Sequence, residues 1–158
     1  MKHSTRKGFS FGLASGITTT MGLVVGLNSS THSVMIIIGG ILIIAIADSL
    51  SDAMGIHISE ESEAVHTTKQ IWESTAATFI SKFAFALSFI VPILFLPLQT
   101  AIVASIIWGL SLIAIFSFYV ARREKMQPHK VILEHITIAV LVIIATHYIG
   151  QYVAVVFG

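Results

Sequence analysis

Five long apolar runs separated by short polar breaks constrain this chain more than any other feature of it. They fall at about residues 9–28, 34–58, 75–96, 99–121 and 131–157. A helix needs roughly 20 mostly apolar residues to cross about 30 Å of hydrocarbon, and each run is long enough. Backbone N–H and C=O groups must be satisfied internally in lipid, and the runs exceed the length of barrel strands, so helices are predicted throughout. The expectation is an all-α, polytopic protein with five transmembrane helices forming a single transmembrane domain over residues 1–158. The breaks carry turn chemistry: LNSSTHS, SEESEAVHTTKQIWES, LPLQ around Pro97, and REKMQPHK with Pro128. Connections this short favour antiparallel neighbours.

Composition agrees: 55% of the residues are hydrophobic, 11% are charged, and the mean hydropathy is +0.90. That lies outside the range of ordinary soluble domains. With no cysteine there is neither a disulfide framework nor a thiolate metal site. Position matters more than total for the charges. Lys2, Arg6 and Lys7 precede the first run, Lys69 follows the second, and Arg122, Arg123, Lys125 and Lys130 lie between the fourth and fifth. The positive-inside rule then predicts a cytoplasmic N-terminus and a C-terminus outside. MKHSTRKGFS reads as a retained cytoplasmic tail, because no small-residue cleavage site follows it. No organelle signal is visible, which favours a prokaryotic plasma membrane. There is no GxSxG, phosphate loop, HExxH or cysteine nucleophile, so the chain is not expected to be an enzyme. Nor does it show a basic, aromatic face for nucleic acid.

The first run carries a stripe of small residues, Gly12, Ser15, Thr19, Gly22 and Gly26, with Gly12–Gly16 and Gly22–Gly26 in GxxxG spacing. Such stripes let membrane helices approach closely, either within one chain or across a homodimer seam.

The second run ends in ADSLSDAMGIHISEESE, where charge enters an apolar helix. Helical spacing puts Asp48, Ser51, Asp52, Gly55 and Ser59 on one face. Two carboxylates one turn apart in a low-dielectric setting require a cation, a proton or a lysine. Oxygen ligands suit hard or intermediate divalent ions, and Met54 and His57 nearby add affinity for transition metals. Lys82, alone among apolar residues in TFISKFAFALSF, is the candidate charge partner. Glu60, Glu61, Glu63 and His66 continue the acidic segment toward water and are expected, with His57, to form a cytoplasmic entrance; a solvated helix end is the plainer reading. His147, within IIATHYIGQYV, reads as a hydrogen-bonded packing residue more readily than as a ligand.

With the helices placed, the chain resembles the vacuolar iron transporter (VIT) family over nearly its whole length. FGLASGITTTMGLVVG is similar to that family's FG-x-x-DGI-x-T-x-LG-x-x-x-G pattern, and SLSDAMGIHISEESE to its S-M-A-x-GEY-x-S segment. SKFAFALSFIVPILF and ATHYIGQYV are weaker echoes. The resemblance implies a homodimer with its first helices near the dimer axis, exporting ferrous iron or manganese from the cytosol in exchange for protons. The metal would be cargo, with no cofactor permanently bound. The departures are specific. Ser15 stands where the family has the aspartate of DGI, Asp52 where it has the methionine of SMA, and Gly55, Ile56 and His57 where it has GEY. The long glutamate-rich insertion of many members is also missing. The expectation is a divalent-metal exporter with Asp48, Asp52 and Met54 along the path and Asp52 and Asp48 replacing the first-helix carboxylate. A non-transporting scaffold or accessory subunit built on a structural Asp–Lys pair is the alternative, and a proton-coupled carrier for another solute a third.

Overall fold

A computed structural model describes residues 3–63 and 65–158. Met1, Lys2 and Ala64 lie outside the described residues, Lys2 having been counted among the N-terminal charges. Among the described residues every regular element is a helix: α1 (His3–Thr31), α2 (Val34–Ser62), α3 (Thr68–Ser88), α4 (Ile90–Phe95), α5 (Leu98–Arg123) and α6 (Pro128–Phe157). With α3 and α4 taken as one interrupted span, five segments are long and apolar enough to cross a membrane. The protein is therefore an all-helical, multi-pass membrane protein.

The helices overrun the apolar stretches at several ends. α1 begins inside the basic segment expected to be a tail. α3 begins at Thr68 instead of about 75, because Thr67 and Gln70 form a capping box: Thr67 Oγ1 accepts from the Gln70 N–H and the Gln70 side chain accepts from the Thr67 N–H. The break expected at 59–74 thus shrinks to the few residues between Ser62 and Thr68. Ser33 caps α2 by accepting from the Ile36 N–H. The third span is interrupted at Phe89, three residues before Pro92. Proline has no N–H to offer the Ser88 carbonyl, and its ring crowds that carbonyl. Pro128 opens α6 at a position where a missing N–H costs nothing.

α1 lies at the centre of the bundle and touches α2, α3, α5 and α6. Half of its most apolar window is buried, against 6% for α6. Ile17, Met21, Val24, Ile37, Ile41 and Phe89 form the middle of the core. Met35, Ile43, Ile115 and Val155 face outward, as residues in contact with acyl chains do.

Glycines set the close approaches of α1. A Cβ on Gly8 would meet the Ser74 carbonyl oxygen at 2.1 Å, one on Gly12 the Thr78 carbonyl oxygen at 2.3 Å, and one on Gly16 the backbone of Lys82 at 2.9 Å. These three positions seat α1 on α3. Gly22 instead faces Val142 and Thr146 of α6, and Gly26 faces Thr146. The stripe that reads as one line in sequence therefore serves two neighbours of the same chain. Gly16 and Gly22 are six residues apart, which turns their faces about 120° from each other.

Candidate intramembrane ion site

Asp48 and Asp52 of α2 meet Lys82 inside the bundle. Lys82 Nζ lies 2.5 Å from Asp48 Oδ2 and 2.6 Å from Asp52 Oδ2. It also donates to Ser15 Oγ at 3.0 Å, and Ser15 Oγ donates in turn to Asp52 Oδ2 at 2.6 Å. Three helices supply the cluster: Ser15 from α1, Asp48 and Asp52 from α2, Lys82 from α3. The spacing of four on α2 puts both carboxylates on the side of one ammonium, while Gly12 and Gly16 bring α1 close enough for Ser15 to join. The Lys82 side chain is 1% exposed, Asp52 20% and Asp48 33%.

The two carboxylates are not equivalent. Asp52 accepts from both Lys82 and Ser15 and is the more enclosed. Asp48 lines a groove between α1 and α2 with Leu23, Leu27, Gly40, Ile44 and Ala47. Two carboxylates and one ammonium leave a formal charge of −1 within an apolar stretch. An arrangement of this kind can hold or exchange a positive charge, since ionic side chains at such depth are costly without compensation.

A second ionic layer closes the end of the bundle where the basic N-terminal segment lies. Lys7 Nζ is 2.8 Å from Glu60 Oε1 and 2.9 Å from Glu63 Oε1. His66 Nε2 sits 3.3 Å from Glu60 Oε2 and 3.2 Å from Glu63 Oε2. Each carboxylate therefore offers one oxygen to the lysine and the other to the histidine. Glu60 is fully buried, whereas Glu63 is exposed. The hydrogen bond from Lys7, and after it the one from His66, holds the Glu63 carboxyl below its ordinary range. Lys7 precedes Ser15 by eight residues on α1 and Glu60 follows Asp52 by eight on α2. The two layers are thus separated by about 12 Å along both helices.

The remaining residues expected at the site are dispersed. Met54 points out of the bundle with 61% exposure. His57 Nδ1 pairs with Thr75 Oγ1 at 2.9 Å, its ring packs edge-on against Trp72, and its Nε2 lies 3.5 Å from Glu61 Oε1. Thr19 donates to the Ser15 carbonyl oxygen. His147 and His135 pair with Ser29 and Ser117. Among the described residues, no three of the His, Asp and Glu side chains gather in a set able to hold a metal ion. Two participants escaped the reading of the sequence. Ser15 was expected to pack and to stand at the aspartate position of DGI, without a polar role of its own, and Lys7 only to orient the chain; the equal eight-residue spacings Lys7–Ser15 on α1 and Asp52–Glu60 on α2 were the available signal.

A scan against family models finds no match to this chain, and a search of curated proteins finds none either.

Proposed function

We propose that the protein is a proton-coupled membrane carrier for a cation and that Asp48, Asp52 and Lys82 form its exchange site. The observation that carries this reading is the convergence of two intramembrane carboxylates on one lysine, with Asp48 left open to a groove. A site with an uncompensated negative charge attracts a proton or a metal cation, and exchange of one for the other couples their movements. Iron or manganese leaving the cytosol is the cargo that the resemblance to the vacuolar iron transporters supplies. The same resemblance supplies the homodimer, while the positions of Lys and Arg supply the cytoplasmic N-terminus and the absence of an organelle signal a prokaryotic plasma membrane. Because α1 gives its glycines to α3 and α6, a partner copy would meet the faces that stay open, such as Ser51 and Gly55 of α2. Exchanging both aspartates for asparagine should abolish pH-gradient-driven uptake of manganous ion into proteoliposomes while the helical content is kept. Full uptake by that double variant would refute the assignment of the site.

A scaffold or accessory role is favoured by a different observation: Lys82 is almost fully enclosed and has an oxygen partner on each helix it faces. In that reading the trio only locks α1, α2 and α3 together, and the wild-type protein carries no cation flux.

A further inference from the structure

We propose that Lys82 is the specificity-determining residue of this site: its ammonium is a tethered cation that fills the Asp48–Asp52 pair, so that a divalent ion binds only by displacing it. This inference rests on the carrier reading above and concerns what the site admits. Each polar partner of Nζ described above is an oxygen, namely Asp48 Oδ2, Asp52 Oδ2 and Ser15 Oγ. Carboxylate and hydroxyl oxygens are the donors that hard divalent cations take. The oxygens come from α1 and α2, whereas the ammonium reaches them from α3 on a flexible four-carbon stem. The backbone of Lys82 is fixed against Gly16, so displacement concerns the side chain and not the helix.

Charge decides what can enter. With the ammonium in place the trio carries −1, and an added divalent ion would leave +1 in an apolar interior, where an unbalanced charge is strongly disfavoured. Swung out of the pair on its stem, toward the polar Thr68 end of α3, the ammonium takes its charge out of the apolar stretch and leaves the carboxylates at −2, which a divalent ion neutralises. A proton or a monovalent ion suits the occupied site and a divalent ion suits the vacated one. Asp48 supplies the point of attack, because its side chain is a third exposed and takes no part in the Ser15–Asp52 hydrogen bond.

Manganous ion titrated into purified protein, with free ion followed by electron paramagnetic resonance, tests this directly. Lys82→Met should bind one ion per chain about tenfold more tightly than the wild type or better, since a like charge has left the immediate site. Asp48→Asn/Asp52→Asn/Lys82→Met should lose that binding. Should Lys82→Met fail to fold, Lys82→Gln, which keeps a neutral donor between the carboxylates, is read the same way. Unchanged or absent binding in the lysine variants, or binding that survives loss of both aspartates, would overturn the proposal. Flux is a separate readout. Tight binding by Lys82→Met with no transport by the wild type retains the tethered cation and removes the carrier, while transport by the wild type with no change in affinity does the reverse.

Discussion

At the scale of single residues, the trio of Asp48, Asp52 and Lys82 is where physical cost concentrates. Removing one partner of a buried ionic group leaves the other uncompensated, at about 3–5 kcal/mol. Lys82→Met should therefore lower the metal-free stability of the protein by an amount of that order, and Asp48→Asn in the same chain should restore part of it. Thermal unfolding in detergent would show both changes, and additive effects of the two substitutions would contradict a shared network. Glu63 gives a pH dependence whose sign is fixed. Its folded-state affinity for protons is depressed by Lys7 and then by His66, so its contribution is present above the ordinary carboxylate range and fades as pH falls through its own lower value. The contact is exposed and the effect small. Amide exchange around residues 62–67, corrected for intrinsic rates, should rise on acidification in the wild type and lose that step in Lys7→Gln. Asp48, Asp52 and Lys82 were legible as candidates because charge in an apolar run is conspicuous. Ser15 was marked only by the resemblance, at the aspartate position of DGI, since by itself a serine in a small-residue stripe looks the same whether it packs or donates.

At the scale of helices, the α1–α3 seam depends on bare glycine faces. Gly12→Ala would drive a methyl group into the Thr78 carbonyl at 2.3 Å and the Ser81 hydroxyl at 2.2 Å, while Gly39→Ala and Gly55→Ala would meet nothing within 4 Å. Overpacking of this kind costs about 1–3 kcal/mol or more. Gly12→Ala should accordingly destabilise the protein, and Gly39→Ala should be neutral or slightly stabilising through helix propensity. Equal effects at Gly12 and Gly39 would place the seam elsewhere. The existence and type of the five spans follow from run length alone, which is why they could be read without coordinates. The ends could not, because α2 and α3 continue as polar helix past their apolar runs, and hydropathy is blind to a capping box. The interruption at Phe89 had a visible cause in Pro92, yet the apolar run passes through it without a change in composition.

At the scale of the whole molecule, two ionic layers about 12 Å apart along α1 and α2 divide the bundle unevenly. α3 presents Lys82 to the inner layer, and the outer layer ties the start of α1 to the end of α2 and the turn beyond it. Both the clasp and the trio are closed in this conformation. A carrier must open them in turn, and the absence of native cysteine makes paired cysteines at Lys7 and Glu63 a clean way to hold the outer one shut. Bridging Lys7→Cys/Glu63→Cys with a reducible bifunctional thiol reagent, which spans two side chains that meet at their tips, should stop flux and reduction should restore it; unaffected flux in the bridged form would remove the clasp from the pathway. The central claim, exchange of a cation for protons at the Asp48–Asp52 pair, is tested most directly by the internal pH of dye-loaded proteoliposomes when manganous ion is added outside. The account predicts inward movement of the metal together with outward movement of protons, both absent from Asp48→Asn/Asp52→Asn. Metal entry without any change in internal pH, or no entry by a well-folded wild-type protein, would contradict it.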